Sequence, residues 1–125
     1  MNERSLIAVV DDSESVLESL PDLLQQVGFD VHAFASAEAF LASDAAEATS
    51  CLVLDVGLPG MSGPELQQEL LRRGKTIPIV FITAQGDASL GPRLLSRGAV
   101  AYLLKPFSDD ALLEAVKTAV ERGPT

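Results

Sequence analysis

Four apolar runs punctuate the chain at residues 6–10, 51–54, 79–82 and 101–104, and none alternates strictly between apolar and polar side chains. Unbroken runs of this kind suit strands buried on both faces. A weaker run at 31–34 fits a fifth strand at the edge of the sheet. Between the runs the period changes. Val16, Leu20, Leu23, Leu24 and Val27 repeat at helical spacing and stop at Gly28, a residue suited to ending a helix. Leu66, Leu70 and Leu71 make a second apolar stripe, opened by Ser62-Gly63-Pro64-Glu65 with Ser and Glu at the capping-box spacing. Leu112, Leu113, Val116, Ala119 and Val120 make a third, led by Asp109 and Asp110 where the helix dipole favours acids. Shorter helices are expected at 36–41 and 92–97. Pro21 predicts a kink in the first helix, and Gly91-Pro92 sets the start of a short fourth helix near Pro92.

The order βαβαβαβαβα requires crossover connections, so the expected fold is α/β, a doubly wound parallel sheet of five strands with helices on both faces. No repeat or interdomain linker interrupts the pattern, and Gly123-Pro124-Thr125 reads as a loose end. The 125 residues fit one domain spanning 1–125. A chain of this length buries about two-thirds of its surface on folding, enough for a core without staples.

Composition narrows the function. With 47% hydrophobic and 22% charged residues the chain is globular rather than disordered. Acids outnumber bases 18 to 9, a net charge of −9 that argues against nucleic acid or an anionic membrane as partner and favours cations or basic surfaces. Cys51 is the single cysteine and forms no internal disulfide; it reads as a small buried strand residue, and a reducing compartment is the simplest setting. The apolar runs fall far short of the ~18 residues of a membrane span. MNERS leads into too short an apolar run for a signal peptide, so the expected location is the cytoplasm. His32 has no Cys or His companion that would make a zinc site, and neither a phosphate-binding loop of the G-x-x-x-x-G-K-[ST] type nor a G-x-G-x-x-G fingerprint occurs.

In parallel α/β sheets, ligands bind beyond the carboxyl ends of the strands. Asp11 and Asp12 follow the first run, Asp55 the third, Thr83 the fourth and Lys105 the fifth, so five polar groups are expected at one edge. Singly, each has an ordinary explanation: a helix cap, a turn residue, a β-former, a solvated lysine. Together, three crowded carboxylates repel one another unless a cation joins them, and hard oxygen ligands suit Mg²⁺. A lysine and a hydroxyl beside them suit an anionic group transferred onto a carboxylate, and aspartate is an established covalent phosphate carrier. The pattern predicts Mg²⁺-dependent phosphorylation of an aspartate.

Val9-Val10-Asp11-Asp12, the stretch from Asp55 to Gly63, Ile82-Thr83-Ala84 and Lys105-Pro106-Phe107 resemble the motifs of the response-regulator receiver domain of bacterial two-component systems. The stretches 80–87 and 98–107 are most similar to its FixJ/LuxR-type branch. The resemblance implies a flavodoxin-like sheet in the order 2-1-3-4-5, and a switch phosphorylated on Asp55 by a sensor histidine kinase in a phosphorelay. Asp11, Asp12, Asp55 and the Gly57 carbonyl would hold Mg²⁺, Thr83 and Lys105 would contact the phosphoryl group, and Thr83 and Tyr102 would form the switch pair. Small Ala84 would leave the phosphate accessible. Lys105-Pro106 is expected to be cis. The output would lie in an unknown partner or in a helix-turn-helix domain absent from this chain, acting through the face around the fourth helix, fifth strand and fifth helix. A monomer or a weak phosphorylation-dependent dimer is expected.

Two other classes compete. A phosphatase of the haloacid-dehalogenase type would need a second carboxylate two residues after its nucleophile, where this chain has Gly57, and would turn over phosphoesters. A receiver-like module that only binds a protein would accept no phosphoryl group, and the three acids with Thr83 and Lys105 speak against it. Gly57, two after Asp55, and Gln85, two after Thr83, occupy positions that influence phosphoryl lifetime in this family.

Overall fold

Five strands take up the five apolar runs in the computed structural model, which describes residues 5–84 and 90–123. They are β1 (Leu6–Val10), β2 (Asp30–Phe34), β3 (Thr49–Asp55), β4 (Ile79–Thr83) and β5 (Ala101–Leu104). All pairings are parallel and the order is β2-β1-β3-β4-β5. The helices are α1 (Glu14–Gln26), α2 (Ala37–Ala42), α3 (Ala45–Ala48), α4 (Gly63–Arg72), α5 (Leu90–Ser96) and α6 (Asp109–Arg122). Residues 1–4, Gln85 with the rest of the motif at 80–87 beyond Ala84, and Pro124-Thr125 of the expected loose end lie outside the described residues.

The continuous apolar runs conceal a period of two. Ile7, Val9, Cys51, Val53, Val80 and Ile82 turn to one face, against Leu20 and Leu24 of α1 and Leu112 and Val116 of α6. Ala8, Val10, Leu52, Leu54 and Phe81 turn to the other, against Phe40, Leu66, Leu70 and Leu94 from the remaining helices. Each face is dry because each is covered, which is why polar residues never alternate into the central strands. Cys51 is fully buried, and burial pushes its thiol up to about 12. At the edge, β2 is largely exposed and His32 faces solvent.

Local signals explain the helix limits. Ser36 caps α2 through Ala39 N, Ser108 caps α6 through Ala111 N, and Ser62 with Glu65 completes a capping box on α4. Helix α1 continues through Pro21, held by the burial of Leu20 and Leu24 on either side. Two expectations shift. The fourth helix was expected to start near Pro92, but Leu90 and Gly91 are already helical, and Pro92 sits in a first turn where its missing N–H costs nothing. A single turn, α3, also stands between α2 and β3, where no helix was expected.

Leu54 is fully buried between β1, β4 and the α2–α5 layer. Leu54→Ala should cost about 2–5 kcal/mol. A urea titration should show the midpoint falling at unchanged slope, the sign of lost packing without a change of fold.

Candidate functional site

The strand register builds the site. Val10 pairs with Leu54, so Asp11, the next residue after β1, comes level with Asp55 at the end of β3. Asp55 pairs with Ile82 and Thr83 with Leu104, which brings Thr83 and then Lys105 to the same edge. Between β1 and β3 the chain reverses its direction of winding, and the crevice beyond such a point is where doubly wound sheets hold ligands. All five expected polar groups therefore meet here.

Carboxylate oxygens of Asp11, Asp12 and Asp55 lie within 4.8 Å of one another. Asp11 is fully buried, Asp55 is nearly so, and Asp12 is exposed. Burial of a charge demands partners. Oδ1 of Asp11 accepts from Ser13 N at 2.8 Å, and Oδ2 accepts from Lys105 Nζ at 2.7 Å. Asp11 thus also serves as a turn residue leading into α1, so its ordinary and its chemical explanation hold together. Lys105 Nζ stands 3.9 Å from Asp55 Oδ1, and its backbone N donates to Thr83 O at 2.7 Å. The Lys105-Pro106 peptide is cis. Thr83 is buried beside Asp55's strand neighbours.

Asp55 is the perturbed group. Burial, then the nearby Asp11, raises its carboxyl above the ordinary range, while Lys105 and the Gly57 N–H pull it back. The Gly57 contact is long, 3.5 Å, so the carboxylate is only partly satisfied. Three hard oxygen donors with one face exposed suit a small divalent cation. A Cβ at Gly57 would meet nothing, so that position is open space above the site.

Tyr102 is turned inward. Its ring packs with the Phe81 and Leu94 cluster, a Cβ at Gly91 would stand 2.9 Å from its Cδ2, and its buried hydroxyl has no hydrogen-bond partner among the described residues. Two contacts escaped the sequence. Gly63 is obligatory because a Cβ there would lie 2.4 Å from Asp55 O, and the motif spacing hinted at this glycine without giving the reason. Glu38 reaches from α2 to the loop after β3, a contact across 23 positions that no local pattern encodes.

Because Asp55 gains proton affinity on folding, its charged form weakens the native state at neutral pH, and that penalty disappears once both states are protonated. Asp55→Asn should therefore melt higher than wild type at pH 7 in metal-free buffer. Its advantage should shrink as pH falls through the raised carboxyl value. Melting curves at several pH values check this; an advantage independent of pH would contradict it.

The profile of the response regulator receiver domain matches residues 7–117. Nodulation protein W of Bradyrhizobium diazoefficiens is 48% identical over 119 residues, covering 95% of this chain and 52% of that protein. Transcriptional regulatory protein FixJ of Azorhizobium caulinodans is 38% identical over 123 residues, covering 98% and 58%. The chain spans about half the length of these relatives. Among solved structures, the response regulator StyR superposes with a TM-score of 0.89 at 44% identity, covering 96% of this chain and 61% of that one. FixJ-N gives 0.84 at 38% identity, covering 97% and 96%. Fold, strand-end chemistry and relatives agree: the chain belongs to the response regulator receiver domain family of two-component systems.

Proposed function

We propose that the chain, 1–125, is a single receiver domain that accepts a phosphoryl group on Asp55 from a phosphohistidine of a sensor histidine kinase. The observation that carries this reading is the partly satisfied, buried Asp55 carboxylate flanked by Asp11, Asp12 and Lys105. An Asp55 carboxylate oxygen attacks phosphorus, the new O–P bond forms as the N–P bond breaks, and the imidazole leaves as the neutral ring after protonation. Asp11, Asp12, Asp55 and the Gly57 carbonyl would hold Mg²⁺, which when bound supplies charge neutralisation for the phosphoryl oxygens. Lys105 stays paired with Asp11 and offers its remaining donors to the transferred group, while Thr83 hydrogen-bonds another phosphoryl oxygen. Catalysis here is positioning and electrostatics acting on the chain's own aspartate rather than turnover of a separate substrate.

The conformational consequence runs through Thr83 and Tyr102 to the face formed by α5, β5 and α6, which would control an output partner or an output domain. Relatives called transcriptional regulators are about twice as long, and their output is a property of those proteins. A chain of net charge −9 is a poor ligand for nucleic acid, so contact with DNA belongs to that other part. No described helix is long and apolar enough to cross a membrane. We place the domain in the cytoplasm, as a monomer or a weak phosphorylation-dependent dimer.

Acetyl phosphate with Mg²⁺ should add one phosphoryl group by intact mass, and Asp55→Asn should abolish the increment while keeping the fold. Full labelling of the variant would move the acceptor elsewhere, and multiple turnover of phosphoesters would make the chain a phosphatase. Mg²⁺ alone should raise the melting temperature, by about 1.4 kcal/mol of stability at ten times its Kd. Asp12→Ala should lose most of that gain; equal gains in both proteins would remove Asp12 from the metal site.

A further inference from the structure

The loop between β3 and α4 carries Asp55 at its root and Gly57 two residues on, and its root is well fixed. Val56 N donates to Ile82 O at 2.9 Å, and Gly63 N donates to Val56 O at 3.1 Å. Its tip, residues 57–61, takes part in no backbone–backbone hydrogen bond among the described residues. Among the described residues, Gly57 N reaches back to Asp55 Oδ1 at a long 3.5 Å, and the one hydrogen bond to residues 57–61 from beyond β3 comes from Glu38, whose Oε2 accepts from Met61 N at 2.9 Å. The same carboxylate occupies the space beside Gly60, where a Cβ would come within 2.6 Å of Oε2. Gly60 has φ +73°, a backbone conformation that favours glycine. The Glu38 side chain is exposed, and its backbone lies in the first turn of α2, between the Ser36 cap and the buried Phe40. The Met61 N–H holds the Glu38 carboxyl below its usual range, the mark of a bond that favours the charged form.

We propose that Glu38 is a positioning residue for the phosphoacceptor loop, bracing its tip through Met61 N and against Gly60 so that Gly57 and Asp55 keep one arrangement at the metal site. The inference rests on the reading of Asp55 as phosphoacceptor and of Gly57 as a metal contact. Glu38 touches neither group, and it acts by removing the loop's freedom before the cation arrives. Preorganised outer partners of this kind raise metal affinity without changing the ligands.

Glu38→Ala removes the acceptor, whereas Glu38→Gln keeps an acceptor oxygen and discards only the charge. Mg²⁺ titrations followed by amide chemical shifts should show Glu38→Ala binding about ten-fold more weakly, the lower edge of what outer partners of metal ligands cost. Labelling by acetyl phosphate should slow at limiting Mg²⁺ and recover at saturating Mg²⁺, because the Asp55 nucleophile is intact. Glu38→Gln should track wild type in both, with Met61 N protected from exchange as in wild type and exposed in Glu38→Ala. Unchanged Mg²⁺ affinity in Glu38→Ala, or equal impairment of Glu38→Gln, overturns the brace. A wild-type chain that binds no Mg²⁺ and takes no phosphoryl group overturns the phosphoacceptor reading itself, and the brace with it.

Discussion

Three carboxylates forced together by strand register are the constraint around which this molecule is arranged. Two unit charges less than 5 Å apart repel by on the order of 3 kcal/mol at the effective dielectric of a protein surface, before further screening. One ammonium, Lys105, meets Asp11 directly and Asp55 at a distance, which leaves two negative charges uncompensated. The rest of the edge is built to tolerate that residue of charge: Ser13 N supports Asp11, Gly57 N leans on Asp55, and Asp12 keeps its carboxylate in water. A site of two net negative charges, lined by hard oxygens and open on one side, matches a divalent cation in charge as well as in ligand type. The instability is thus the functional feature, since anything that neutralises the cluster is drawn to it.

The sheet makes this crowding unavoidable. Changing the winding between β1 and β3 leaves no crossover above their carboxyl ends, so polar residues there face solvent instead of a covering helix. Apolar side chains below fix the register to within one residue, because a slip would carry Val9 and Val53 to the wrong face. The core therefore sets the distance between Asp11 and Asp55 although it contributes no polar atom to the site.

Much of this was legible in the sequence for a physical reason: in a parallel sheet, both the apolar run and the reactive residue after it are local. β1 and β5 lie where their runs lie, at 6–10 and 101–104. β3 extends beyond its run at both ends, taking in Thr49 and Ser50 and the buried Asp55, because pairing with β1 and β4 outweighs the polarity of those residues. The short turn α3, whose one buried side chain is Ala45, has too little apolar periodicity to announce itself. Glu38 was silent and Gly63 showed only as a motif position, because their meaning lies in contacts between distant segments or with a backbone oxygen, neither of which leaves a period or a cap behind.

Tyr102 shows how such silent contacts place a side chain. Glycine followed by proline is a poor way to build a helix, costing about 1 kcal/mol at the glycine alone relative to alanine. Gly91 is nonetheless where α5 meets the Tyr102 ring, at a separation that excludes a Cβ, so the poor helix former makes room for the aromatic. The inward ring gains burial with Phe81 and Leu94, while its buried hydroxyl has no hydrogen-bond partner among the described residues. Burial of the ring and burial of the hydroxyl thus act in opposite directions at this one side chain. A phosphoryl group shifts a population only by its differential stabilisation of one state. Tyr102 stands on the strand next to Thr83, so any rearrangement at the end of β4 has a short path to its ring.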